Sequence, residues 1–418
     1  MEQDQFEQAF VRMGVGEGRR EVHTLLPDPE QREVRYTIIS ADDHLVEPPD
    51  LFVGRMPAEF EARAPRVVDG ENGAQLWSID GRLEPNVGMN AIIGRPKSEW
   101  VAEPTRFDEM RPGAWDIHQR VRDMDLNGVY ASLNFPSFLP GFAGQRFSLL
   151  DDRDFGFALL RAHNDWHIDH WAGTYPERII PCQLAWLPDP EVAAVEIYKN
   201  AERGFKAVTF PQNTENLGLP SLYDEKHWLP FFRACEETQT VICLHVGSSG
   251  TVLQPSKQAP VETRAILFPF NAAIDCVDWL FSGITVRHPD LKIVMAEGGI
   301  GWVPMLLDRL DHYTAVQYQT EVQNHWPSPD ITPSEVLRRN FWFCVLEDTC
   351  ALELRDRITV EHILVESDYP HGDSTWPDTQ ETLAKMFDDY PAEEIRKMTC
   401  ENAAKLFRHP LPASPLPR

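Results

Sequence analysis

The sequence is short of basic residues. Its 39 lysines and arginines stand against 65 aspartates and glutamates, a formal net charge of -26 at pH 7. Such a surplus repels polyanions and argues against nucleic acid as a partner. A phosphorylated small molecule fits only where local cations offset that field. No run of about 18 apolar residues is present to cross a bilayer, and the opening residues, Met1-Glu-Gln-Asp-Gln-Phe6, lack the basic-then-apolar layout of a secretory signal. A cytoplasmic protein with no membrane partner is the expectation. Cysteine is scarce too: seven in 418 residues, with no C-x-x-C pair, exclude a disulfide framework. Cys182, Cys243 and Cys344 sit in apolar runs and read as core filler. No G-x-G-x-x-G follows an apolar run, which argues against an open dinucleotide-binding sheet.

What is present is a repeating alternation. From Asp116 onward, amphipathic helices alternate with short apolar strands at 129–134, 178–184, 205–210, 240–245, 291–296, 340–345 and 362–367. Several helices carry end signals in the sequence, such as Pro190 at the start of one and Gly204 after it. The stretch 37–47, Thr-Ile-Ile-Ser-Ala-Asp-Asp-His-Leu-Val-Glu, supplies an opening strand. Eight strand-and-helix units predict an α/β fold, a closed (β/α)8 TIM barrel. The reading divides the chain into an N-terminal extension at 1–35, with a short helix over 5–13, a single barrel domain at 36–408 and a tail at 409–418. Residues 52–112 form an insertion after the first strand that should sit over the barrel mouth. It contains a hairpin over 67–81 turning at Asn72-Gly73. An amphipathic helix over 391–407 closes the domain. The polar extension is expected to pack outside the body or on a neighbouring subunit of a homo-oligomer.

Four of the strands end in groups that bind metals. In the opening strand alternate side chains share a face, so Asp42 and His44 point one way and Asp43 the other. Glu47 follows before two prolines, where it could fold back as an oxygen ligand or simply cap the loop. The fifth strand ends at His245, the sixth runs into Glu297 before Gly298-Gly299, and Asp368 follows the eighth. Parallel barrels put every strand's C-terminal end on one rim, so these residues should converge. Taken singly, His245 could be a core histidine, Glu297 a helix cap and Asp368 a turn residue.

The segments Ser40-Ala-Asp-Asp-His-Leu45, Leu244-His-Val-Gly247, His288-Pro-Asp-Leu-Lys-Ile-Val-Met-Ala-Glu-Gly-Gly299 and Glu366-Ser-Asp-Tyr-Pro-His371 resemble the amidohydrolase-related group that includes aminocarboxymuconate semialdehyde decarboxylase. The resemblance runs from about residue 37 to 407. It implies a divalent metal on Asp42, His44, His245 and Asp368. The group's water-activating histidine after the sixth strand falls on Glu297, a departure from the pattern. A glutamate near cations stays ionised and tends to become a ligand. Four carboxylates (Asp42, Glu47, Glu297, Asp368) and two imidazoles suit two nonheme irons. With Asp-Asp-His-x-x-Glu-Pro and Glu-Gly-Gly, the chain also resembles the barrel-type nonheme di-iron monooxygenases of diterpenoid biosynthesis. That resemblance implies two Fe ions, O2, an electron donor and hydroxylation of a hydrophobic substrate carried as a coenzyme A thioester. The alternative is a hydrolase or decarboxylase using Zn or Mn as a Lewis acid. A third reading is a metal-free binding barrel.

Lesser candidates complete the reading. His371 could add a ligand or a supporting hydrogen bond, and Glu297 and His371 are the candidate catalytic pair. His163, His167 and His170 share a helix face; because barrel helices ring the outside, His167 and His170 read as packing or surface residues. Arg95, Lys97, Arg106 and Arg111 could meet phosphates but read as solvated charges. Phe135, Phe138 and Phe142 are candidates for an apolar pocket wall.

Overall fold

A computed structural model describes residues 24–70, 73–100, 103–260, 262–319, 326–345 and 347–413. The helix expected over 5–13, Asn72 of the hairpin turn and the end of the tail lie outside them. The chain forms two compact units. Among the described residues, one runs to Leu184 and resumes over Ser367–Lys385; the other covers Ala185–Glu366 and Met386–Leu411.

In the first unit, β1 (Ile39–His44) opens the sheet and a three-stranded antiparallel insert follows, β2 (Arg66–Asp69), β3 (Gln75–Ile79) and β4 (Arg82–Glu84). The expected hairpin is therefore the first half of a three-stranded sheet. Next come β5 (Ala131–Phe135), β6 (Ile179–Ile180) and β7 (Cys182–Leu184). β1 pairs parallel with β5, and β5 with β6. Pro181, which has no N–H to donate, separates β6 from β7. The second unit holds β8 (Ala207–Thr209), β9 (Val241–His245), β10 (Ile293–Ala296), β11 (Phe341–Val345) and β12 (Ile363–Val365), each parallel to the next. Counting β6 and β7 as one interrupted strand, eight strands alternate with helices along the chain, as the barrel expectation requires. Every residue of β5, β9 and β10 is buried, and β10, Ile-Val-Met-Ala, reads accordingly as an unbroken apolar run.

Local chemistry sets the helix ends. Asp116 caps Ile117–Asn127 by accepting from the Gln119 N–H, and Gly128 ends it at φ 72°. Pro190–Arg203 starts on the Asp189 cap and stops at Gly204, φ 110°. Thr332 and Glu335 make a reciprocal capping box before Pro333–Asn340. The long helix expected over 154–171 is α-helical from Arg153 to Trp166 and widens into a π-turn over His167–Trp171. Cys182, Cys235, Cys243, Cys276, Cys344 and Cys400 are buried and Cys350 is exposed.

The insertion corrects one expectation. Arg95 and Arg111 are buried, not solvated. Arg95 Nε donates to the Glu109 carbonyl at 2.9 Å. Arg111 donates to both oxygens of Asp123 (2.9 and 2.6 Å) and to Asp28 (2.8 Å), and lies over the Trp376 ring at 4.5 Å. Acceptors brought in from distant segments make this burial tolerable. Lys97 is exposed, and Arg106 forms surface ion pairs with Asp69 and Asp108. The Ile93 N–H donates to Pro370 O at 3.2 Å, and Ile93, Tyr369 and Trp376 form one cluster with Trp100 against it. The insertion thus packs on the segment that carries His371. No helix among the described residues is long and apolar enough to cross a membrane.

Candidate metal centre

β1 positions the first two groups. Its pairing with β5 slips between Ser40 and Asp43, so two residues, Ala41 and Asp42, face the single residue Leu133. Such a bulge re-aims side chains where a strand leaves the ladder. Asp42 Oδ1 lies 3.5 Å from His44 Nε2. The chain returns to this point after β12. The Asp368 N–H donates to Asp42 O at 3.0 Å and the His44 N–H to Tyr369 O at 2.7 Å. Asp368 Oδ1 is then 3.4 Å from His44 Nε2 and 3.1 Å from His371 Nδ1, and the His44 and His371 rings stack with centroids 3.8 Å apart. Ligand atoms of His44, Asp368 and His371 lie within 4.8 Å of one another, and all three residues are buried.

The electrostatics suit a bound cation. Burial, with Asp373 and Asp43 nearby, holds the Asp368 carboxyl well above the usual carboxylate range, and neither of its oxygens accepts a hydrogen bond among the described residues. A buried carboxylate in that state lacks a positive partner, which a divalent ion would supply. Burial pushes His371 down to about 4 against the opposing pull of Glu103, so its ring is neutral near pH 7 and can act as a lone-pair donor. Asp368 also has φ 51°, a left-handed backbone that aspartate tolerates better than most residues. Phe142 and Phe135 lie against His44, at ring distances of 4.9 and 5.9 Å. Phe138 is turned to Arg146, whose guanidinium lies 3.9 Å over its ring.

The second unit carries the other two candidates. His245 ends β9, and its Nδ1 is 2.6 Å from the Val246 carbonyl, so Nδ1 holds the proton and Nε2 the lone pair. That Nε2 is 3.5 Å from Glu297 Oε2. Glu297 follows β10 at φ 55°, and its N–H donates to Glu366 Oε2 at 3.2 Å. Gly298 is required here because a Cβ would meet Ala272 at 2.5 Å.

Glu47 is placed differently from the sequence expectation. Its carboxylate accepts from the Ser137 N–H at 3.1 Å and from the Ser137 hydroxyl, with His163 Nε2 3.4 Å away. His167 is buried packing and His170 is exposed. His167 Nε2 accepts from the Cys182 N–H at 3.4 Å, which only the neutral ring can do, and burial pushes its pKa down to about 3. The unfolded chain then protonates first as pH falls below the ordinary value of 6.5, so the folded state loses stability between 6.5 and about 3. Denaturant melts should show the parent losing about 2 kcal/mol more than His167→Gln between pH 6.5 and 5; parallel losses would show that His167 is not held neutral. His170→Ala should leave stability within about 0.5 kcal/mol and metal content unchanged.

Residues 41–409 match the family model described as amidohydrolase. The chain belongs to the amidohydrolase family. This amidohydrolase-family chain is 24% identical over 325 residues to gamma-resorcylate decarboxylase of Rhodococcus jostii (strain RHA1), covering 73% of this chain and 91% of that one. It is 24% identical over 220 residues to 2-amino-3-carboxymuconate-6-semialdehyde decarboxylase of Dictyostelium discoideum; that match takes in 52% of this chain and spans little more than half, 56%, of the relative's length. Among solved structures, an amidohydrolase from Mycobacterium avium subsp. paratuberculosis K-10 superposes with a TM-score of 0.71 at 22% identity, over 90% of this chain and 100% of that one. 5-Carboxyvanillate decarboxylase from Novosphingobium aromaticivorans, complexed with manganese and 4-hydroxy-3-methoxy-5-nitrobenzoic acid, gives 0.63 at 20% identity, over 92% and 100%. The fold is that of the amidohydrolase barrels.

These relatives overturn the oxidoreductase reading. Three of them are decarboxylases, one holding manganese with a substituted benzoic acid, so the expected di-iron monooxygenase, with two Fe ions, O2, an electron donor and a coenzyme A thioester, does not stand. The di-iron count needed four carboxylates; in the structure that of Glu47 accepts from the Ser137 N–H and hydroxyl.

Proposed function

We propose that this chain is a metal-dependent decarboxylase of small carboxylic acids of the hydroxybenzoate class. The metal dependence rests on one observation, the buried group His44, Asp368 and His371 with Asp42 beside it; the reaction class rests on the relatives. Asp42, His44 and Asp368 would hold one divalent ion, zinc or manganese, with His371 as a further donor. The donor set, carboxylate oxygen and imidazole nitrogen, suits either metal. When bound, the ion supplies a Lewis acid for an oxygen of the substrate. Phe135 and Phe142 offer apolar surface to a ring and keep water from it. As the carbon–carboxylate bond breaks, CO2 leaves and the electron pair stays on the ring carbon. Glu297 passes on the proton that this carbon takes up. His371, neutral near pH 7, serves as acceptor rather than acid.

The test combines metal analysis of freshly purified protein with CO2 release and oxygen uptake across a panel of hydroxylated benzoic acids. One Zn or Mn per chain with CO2 release that needs no oxygen is the expected result. Metal-bound protein that hydrolyses esters or amides and decarboxylates nothing would overturn the reaction class. Protein that binds no divalent ion would overturn the metal centre.

A further inference from the structure

We infer that Asp43 and Arg120 are positioning residues whose buried pair holds the three ligand-bearing residues of the first unit in register; the inference rests on the metal-centre reading. Asp43 points away from Asp42 and His44 on the other face of β1. Its Oδ1 accepts from the Ser40 hydroxyl at 2.9 Å, the Ser367 hydroxyl at 2.6 Å and the Tyr369 N–H at 3.3 Å. Ser367 and Tyr369 are the residues on either side of Asp368. One carboxylate, set between two candidate ligands in sequence, therefore grips both neighbours of a third that lies more than 300 positions away. The Ser367 N–H also donates to Ser40 Oγ at 2.9 Å, closing the same clasp.

Arg120 completes it from the helix Ile117–Asn127. The side chain is fully buried; its Nε donates to Gly113 O at 2.8 Å, its Nη2 donates to His44 O, and its Nη1 lies 3.6 Å from Asp43 Oδ2. The guanidinium also lies 4.3 Å over the Tyr369 ring. All but the Gly113 contact land on a residue that bears or flanks a candidate ligand.

Stability alone is a weak reason for such a pair. Removing two charges from water offsets most of their attraction, so an apolar pair of the same volume would serve the core about as well. What an apolar pair could not do is hold Asp368 at φ 51°, a backbone that relaxes unless its surroundings over-determine it. Hydrogen bonds to both flanking residues provide that constraint. Groups of this kind set ligand orientation, and their loss typically weakens metal binding about 10–100-fold.

The experiment titrates metal-free protein with Mn2+ and, in parallel, follows amide hydrogen exchange without metal. Asp43→Ala should weaken Mn2+ binding about 10–100-fold and speed exchange at 42–44 and 367–371 together, leaving the second unit protected. Asp43→Asn, which keeps one acceptor oxygen but loses the charge facing Arg120, should show a smaller loss of the same sign, and Arg120→Lys likewise. Asp43→Asn carries the test if Asp43→Ala does not fold. Parent-like Mn2+ affinity in the folded variants overturns the inference while the metal centre stands. Loss of protection throughout the protein with unchanged affinity also overturns it, because that is a purely structural role. A parent that binds neither Mn2+ nor Zn2+ removes the metal reading and this inference with it.

Discussion

Replacing Asp368 by asparagine is expected to abolish divalent-metal binding and yet make the metal-free protein more stable at neutral pH. Both results come from one cause. In the metal-free protein burial raises this carboxyl well above its ordinary value, with Asp373 and Asp43 adding to the shift. A carboxyl whose folded pKa is raised contributes stability that is fully present below its unfolded value, 3.8, and is lost as pH rises toward the folded value. The metal-free parent should therefore lose stability with rising pH, and Asp368→Asn should lack that part of the loss. Asparagine suits the site otherwise: it matches aspartate in volume and tolerates the left-handed backbone. Activity should fall at least about a thousandfold, since a Lewis acid worth about 4 kcal/mol of transition-state stabilisation corresponds to three decades. Thermal melts of both proteins with a chelator at pH 5, 6.5 and 8, followed by Mn2+ titration, make the check. Identical pH responses would show that Asp368 carries no uncompensated charge. Retained Mn2+ binding in the variant would remove Asp368 from the ligand set.

The second large effect is expected at Glu297. Glu297→Gln keeps the length and an acceptor oxygen but has no acidic proton, so CO2 release should fall about 10²–10⁴-fold while metal content stays that of the parent. Glu297→His should retain more activity than Glu297→Gln. An imidazole can carry a proton near pH 7, and histidine is one of the side chains more often found at the φ 55° that this position holds. Metal analysis separates the roles. If Glu297→Gln loses metal along with activity, Glu297 is a ligand, and the proton must come from elsewhere. If both variants keep parent activity, Glu297 has no part in the reaction.

Some of this chemistry could be read from the chain alone. Side chains alternate along a strand, so the shared face of Asp42 and His44 followed from their spacing, and their 3.5 Å separation agrees with it. The helix Pro190–Arg203 was legible at both ends, because Pro190 and Gly204 act on backbone groups within a turn of themselves, and the Asp189 cap reinforces the start. Glu47 shows where such reading stops. Its spacing from Asp42 suits a ligand as well as a loop cap, and its hydrogen-bond partner, Ser137, lies 90 residues away. Arg95 and Arg111 looked like surface charge because their acceptors, from Glu109 to Asp123 and Asp28, come from separate segments of the chain.

Local sequence thus determined the strands, the helix ends and the residue types that converge on metal chemistry, since period, caps and ligand preference are properties of neighbours along the chain. It could not decide between oxidation and decarboxylation. Carboxylates and imidazoles serve one metal or two with equal ease, and the comparison with relatives settled against the di-iron reading. Only the tertiary structure showed which carboxylates accept from protein donors, as Glu47 does from Ser137, and which are buried with no such hydrogen bond among the described residues, as Asp368 is. It alone revealed Asp43, hidden beside two obvious ligands, as the group that ties β1 to the segment around Asp368. The reason is physical: desolvation and hydrogen-bond satisfaction depend on what packs around a group in space, and those neighbours come from parts of the chain that the local pattern does not connect.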